Sequence, residues 1–168
     1  MILSRTVRIG GFTLVEASIA ACTSALFLGS LFTMNMTSLK TIRTAREATS
    51  ASQVLQQRIE SMRIANWHQV TDADWVTANL LSSNAAGSDG LKDLSETLTL
   101  VPYGSSTVGN TQIVRSSGNT QIVNRNNALL AESAMKVIWT LNYNGGINTV
   151  PVTRQTVAIL AKGGVAKW

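Results

Sequence analysis

The chain has 168 residues, with 14 Lys and Arg against nine Asp and Glu, one histidine and one cysteine. A single histidine excludes a multi-histidine metal site, and a lone Cys22 excludes an intramolecular disulfide. The formal charge of +5 is unevenly spread: residues 67–168 hold seven basic and six acidic side chains, so the cationic surface of a nucleic-acid-binding domain is not expected there.

Residues 1–11 contain Arg5 and Arg8, no acid, and end in Gly10-Gly11. Phe12-Thr13-Leu14-Val15-Glu16 follows, and then residues 17–39 without a single Asp, Glu, Lys or Arg. A helix over 12–33 would be about 33 Å long, enough to cross a bilayer core. A carboxylate near the start of such a helix is costly in hydrocarbon, so Glu16 calls for a partner. Topology alone also fits an ordinary signal anchor with its basic residues inside. Ile19-Ala20-Ala21-Cys22, taken by itself, has the form of a lipobox. Against the anchor, nothing in a plain apolar span requires Gly-Gly-Phe-Thr-Leu-Val-Glu. Against the lipobox, Glu16 interrupts the apolar run before Cys22, and the chain stays apolar after it.

Over residues 5–33 this pattern resembles the start of a type IV prepilin. The resemblance implies that a membrane aspartyl peptidase cuts between Gly11 and Phe12 and then methylates the new amino group of Phe12. A glycine before the cut lets the extended backbone enter a narrow site. The resemblance further implies that Glu16 meets the amino terminus of a neighbouring subunit, which would neutralise two charges in a low-dielectric filament core. Two departures separate the chain from major, fibre-forming pilins. It has no proline within the apolar span, its prolines being Pro102 and Pro151, and it has no cysteine pair. A minor pilin or pseudopilin is therefore the closer match, and residues 53–63 are similar to the stalk of minor pilins that prime assembly. The partners implied are a prepilin peptidase/methyltransferase, other pilins or pseudopilins in a helical filament, and an inner-membrane assembly platform. No cofactor is implied, and nucleic acid is not expected as a partner. The implied location is the inner membrane, single-pass with the head exported, followed by a periplasmic or cell-surface filament.

From 40 to 66 no Pro or Gly interrupts the chain. Ile42, Ala45, Ala48, Ser52, Leu55, Ile59 and Met62 recur at helical spacing and predict a face that packs on a sheet. One helix is expected from 12 to about 66, with Arg43/Glu47 as an i,i+4 pair worth roughly a few tenths of a kcal/mol if exposed. The basic surplus of the chain sits here, where Lys40, Arg43, Arg46, Arg58 and Arg63 outnumber Glu47 and Glu60.

Beyond Trp67 the pattern changes. Asp72-Ala73-Asp74 reads as a turn or cap, and residues 82–93, rich in Ser, Asn, Gly and Asp, as a mobile surface loop. Residues 96–101 form a candidate strand ending at Pro102. Gly109-Asn110-Thr111-Gln112-Ile113-Val114 returns nine residues later as Gly118-Asn119-Thr120-Gln121-Ile122-Val123, which predicts a hairpin around Ser116-Ser117-Gly118-Asn119. Met135, Val137, Trp139, Leu141 and Tyr143 alternate with Lys136, Ile138, Thr140 and Asn142, the period of a half-buried strand. Asn144-Gly145-Gly146 supplies a turn. A return strand over 152–161 places Gln155, Val157, Ile159 and Ala161 on alternate positions, and 162–168 forms a tail.

No catalytic constellation is present: His68 reads as a surface or helix-end residue, and neither Asp72/Asp74 nor Asp89-Gly90 matches a calcium loop. Trp67, Trp75, Trp139 and Trp168 are expected in the core or at its edge. The fold class expected is α+β, a long N-terminal helix, membrane-spanning in its first half, packed against a small antiparallel head. Its segments are a leader (1–11), a membrane half (12–33), a stalk half (34–66) and a head (67–168). The function implied is assembly or priming of a type IV pilus or type II secretion filament, with no enzymatic activity. The alternative is a tip-located binding pilin for adhesion or DNA uptake.

Overall fold

The structure, a computed structural model, describes residues 13–104, 109–146 and 150–163. Its order is α1 (Leu14–Ile64), α2 (Trp67–Thr71), α3 (Ala73–Asn79), β1 (Lys92–Pro102), β2 (Thr111–Ser116), β3 (Asn119–Asn124), β4 (Ala134–Gly145) and β5 (Val150–Ala161). The chain divides into two compact units, Met1–Thr41 and Ile42–Trp168.

In the first unit every described residue is exposed, including Leu14, Leu26, Phe27, Leu28 and Phe32. The helix is apolar enough to cross a membrane, with a window of mean hydropathy 1.6, none of it covered by protein. Hydroxyls in this stretch bond back to their own helix: Ser18 Oγ donates to the Leu14 carbonyl at 2.8 Å, and Thr23 Oγ1 to that of Ile19 at 2.9 Å. Thr33 and Thr37 do the same. A hydroxyl satisfied in this way is far cheaper to place in hydrocarbon than a bare one.

The second unit is a sheet-and-helix body. Its five strands run in the order β3-β2-β1-β4-β5, every neighbour antiparallel. The alternation expected of β4 holds: Met135, Val137, Trp139 and Leu141 are fully buried and Tyr143 nearly so. Leu98 and Leu100 of β1 and Ile113 of β2 continue that face, opposite Trp139, Val137 and Leu98 in register. Val54, Leu55, Ile59 and Met62 of α1 cover it, and Val70, Val76, Leu81 and Leu129 close the cluster. Full burial of each such side chain contributes about 1.5–3 kcal/mol over leaving it exposed.

The duplicated segment forms the expected hairpin, with one copy in β2 and the other in β3. Ser117 (φ 50°) and Gly118 (φ 82°) make a two-residue turn with both central residues left-handed, the geometry that matches strand twist. The register set by this turn places the equivalent residues Ile113 and Ile122 opposite each other, and an irregularity beyond them pairs Gln112 with Asn124.

Several expectations are corrected. The helix ends at Ile64 rather than 66, and α2 and α3 lie where no helix was expected. Both are short turns stabilised at their starts: Gln69 Oε1 accepts from Asn66 N at 2.9 Å, and Asp72 Oδ1 from Asp74 N at 3.0 Å. The buried stripe of α1 is Glu47, Ala51, Val54, Leu55, Arg58, Ile59 and Met62, whereas Ile42, Ala45 and Ser52 are exposed. The helical period was right but its phase was set by apolar residues alone, and two inward positions are charged. Residues 82–93 are not a loose loop. Ala85, Ser88 and Leu91 are buried, a 3-10 turn spans Ser88–Gly90, and Ala86 N donates to Gln57 Oε1 at 2.7 Å. Gly87, at φ 89°, sits where an added Cβ would lie 3.3 Å from Gln53 Oε1. Strand β1 therefore starts at Lys92 instead of 96, and β5 at Val150 instead of 152.

Candidate functional site

Of the residues expected to carry function, Gly11 and Phe12 lie outside the described residues, as do most of the tail and Trp168. Glu16 is described. Its Oε2 accepts from Thr13 N at 3.0 Å and from Thr13 Oγ1 at 3.0 Å, while Glu16 N donates to Thr13 Oγ1 at 3.3 Å. Thr13-Leu14-Val15-Glu16 is thus a capping box, in which residues at the cap and third positions exchange bonds and satisfy otherwise orphaned donors. The carboxylate is exposed at the helix start, where the helix dipole also favours negative charge. The Thr-x-x-Glu spacing of this box stands in the sequence itself.

A cluster of charged side chains lies at the centre of the second unit. Glu96, on the inner face of β1, is completely buried between two arginines. Arg58 of α1 engages it with two bonds, Nε to Oε2 at 2.8 Å and Nη2 to Oε1 at 2.8 Å. Arg115 of β2 donates from Nη1 to Oε1 at 2.9 Å. Other donors reach the segment after α3: Arg58 bonds the carbonyls of Leu80 and Ser83, and Arg115 bonds Asn84 Oδ1, while the buried Arg115 Nε has no partner among the described residues. The Arg58 guanidinium also lies 5.8 Å from the Trp139 ring centroid, within cation–π range. One acid thus ties helix, sheet and connecting segment together. Burial of such charges is expensive, and the two-pronged bond of Arg58 to Glu96 together with the bond from Arg115 offsets part of that cost.

A second anchor lies nearer the Ile42 end of this body. Glu47 Oε1 accepts from Arg43 Nε at 3.1 Å, and Oε2 from Gly146 N at 2.8 Å, holding the β4–β5 turn to α1. The expected Arg43/Glu47 pair is present, with Arg43 exposed and Glu47 buried. At the surface, Arg125 binds Asp74 through both guanidinium nitrogens, at 2.8 and 2.5 Å. Those bonds hold the Asp74 carboxyl below the ordinary aspartate value and raise Arg125.

His68 is exposed on α2, beside a shallow cleft of about 360 Å³ that Asp72, Arg125 and Leu130 help to line. No nucleophile is paired with it there. Trp139 is fully buried and Trp67 and Trp75 half-buried, with Trp67 Nε1 donating to the Leu130 carbonyl at 3.2 Å. Among the described residues no group of three or more His, Cys, Asp and Glu could hold a metal ion. Cys22 is free and exposed on α1. Comparison with known proteins finds no match to any family model, curated protein or solved structure.

Proposed function

We propose that this chain is a pilin-like subunit, of the minor pilin or pseudopilin kind, that is anchored by the first part of α1 and assembles into a helical filament. The observation that carries the reading is the sequence Gly11-Phe12-Thr13-Leu14-Val15-Glu16 running directly into a charge-free apolar helix. A helix of this length followed by an antiparallel sheet supports it as architecture. In this reading a prepilin peptidase releases residues 1–11 and methylates Phe12, the membrane helices of successive subunits bundle, and Glu16 meets an incoming Phe12 amine. The sheet body is exported and decorates the filament. The subunit's work is structural, in assembly or priming, and motor and platform are separate proteins.

Mass spectrometry of the mature chain from cells holding the processing enzyme tests it. The expected first residue is Phe12 with one added methyl on its amine. An intact Met1, or lipid on Cys22, would overturn the reading. Glu16→Ala is expected to leave cleavage largely intact and to lower incorporation into filaments, whereas unchanged incorporation would remove the charge-pairing argument.

A further inference from the structure

The sheet has two edges, β3 and β5, and among the described residues each pairs with one neighbouring strand. The β3 edge is six residues long, and Thr120 Oγ1 of that strand donates to the Leu81 carbonyl at 3.2 Å. The β5 edge is twelve residues long and pairs on one side only. Lys162 N donates to the Ser133 carbonyl at 2.7 Å, continuing the β4–β5 ladder by one step. Alternation along an antiparallel strand then directs even-numbered residues toward β4. Thr153, Gln155, Val157, Ile159 and Ala161 turn their N–H and C=O groups to the free edge. Pro151 belongs to the same outward set, so its missing N–H takes nothing from the ladder.

Two further features surround this edge. Between it and α1 lies a groove of about 380 Å³, with Leu55 and Ile59 in its floor and Gln56, Glu60, Arg63 and Thr156 at its sides. On the opposite face Val157 and Ile159 are exposed, at 52% and 57%. A long open edge with exposed Val157 and Ile159 on one face and a groove with a mainly polar rim on the other is a template for another strand. The charges say which kind. Arg154 is the one charged residue of β5; it is exposed and has no ion-pair or hydrogen-bond partner among the described residues. Glu60 is already engaged by Arg63 at 2.9 Å, and no acid lies between 150 and 163.

The geometry points to β5 as a strand-addition site for an extended, mainly apolar segment of another polypeptide, carrying a carboxylate placed to meet Arg154. Its inward side chains would enter the groove over Leu55 and Ile59, and its outward ones would flank Val157 and Ile159. A second copy of β5 is not that segment, because it brings no carboxylate and would leave both Arg154 side chains unpaired. The inference is independent of the filament reading.

The test uses the full-length protein in detergent and a short fluorescein-labelled peptide of alternating valine and threonine with one glutamate, followed by anisotropy. Saturable binding is expected. Exchange of the peptide glutamate for lysine should weaken it about tenfold, Arg154→Glu should weaken the glutamate peptide by a similar factor, and the lysine peptide should regain affinity for Arg154→Glu. Val157→Pro removes an outward N–H while sparing the β4 ladder, so it should abolish binding with the circular dichroism spectrum unchanged; if that variant does not fold, the charge exchange decides. Absence of binding, equal binding of both peptides by the unaltered protein, or binding that survives in folded Val157→Pro would overturn the assignment. So would a concentration-dependent dimer that Val157→Pro dissolves, which would make the occupant a second copy.

Discussion

The two parts of α1 invert the usual relation between polarity and burial. Up to Thr41 the helix is apolar and exposed, with Phe27 at 64% and Phe32 at 70%. Beyond Ile42 it buries a glutamate and an arginine along with its aliphatic residues. The same secondary structure therefore answers to two environments. In the first unit none of the described side chains is covered by protein, and the stretch is long and apolar enough to cross a membrane. In the second unit the protein itself supplies the environment, and charged groups enter because every one of them has a partner. Hydropathy is informative where the surroundings are lipid or water, and less so where side chains solvate one another.

The hardest blow to that contrast is Glu96→Ala. It leaves Arg58 and Arg115 buried without their acid and should destabilise the sheet body by about 3–5 kcal/mol, read as a lowered thermal midpoint of tryptophan fluorescence. Replacement of all three residues by apolar ones of similar volume should recover most of that loss; if it does not, the cluster does more than satisfy its own charges. Leu28→Asp probes the other side. It places a charge in the apolar stretch and should weaken membrane insertion by about 2.5–3.5 kcal/mol, seen as release into the soluble fraction on alkaline extraction. The melting of the sheet body should stay within about 0.5 kcal/mol of the unaltered protein, since the substitution touches none of its contacts.

The smallest effect concerns the exposed pair Asp74–Arg125. Because Asp74 is held low in the folded state, its contribution is present above the ordinary aspartate pKa and is lost as pH falls through the folded value, from about pH 4 downward. Carbon-13 titration should show the Asp74 carboxyl returning toward the ordinary value in Arg125→Ala, with little change in the melting midpoint because the pair is exposed and screened.

Much of this was legible in advance where one periodicity acts alone. The β4 alternation, the Ser117-Gly118 turn and the Asp72 cap follow from local rules that tertiary contacts reinforce. The phase of the α1 stripe did not follow, because apolar spacing alone leaves Arg58 and Glu47 off the inward face. Their inward placement depends on Glu96, 38 residues further on, and on the Gly146 amide, 99 residues further on. A weaker signal did exist. Arg58 stands three residues after Leu55 and four before Met62, Glu96 is in phase with Leu98 and Leu100, and Arg115 is in phase with Thr111 and Ile113. Helices α2 and α3 escaped notice because each is held by its cap rather than by an apolar period. At the candidate site, the motif drew attention to Glu16 as a charge, and its bonds to Thr13 became visible only with coordinates.

Those bonds bear on the proposed meeting of Glu16 with a neighbouring amine. Both Thr13 contacts fall on one carboxylate oxygen, Oε2, so the other oxygen is not taken up by the cap among the described residues. A visiting ammonium group could thus be received without dismantling the first helical turn, and the acid would arrive already aimed, its rotamer chosen before any neighbour approaches. An arrangement of this kind spares the encounter the entropy of ordering a loose side chain.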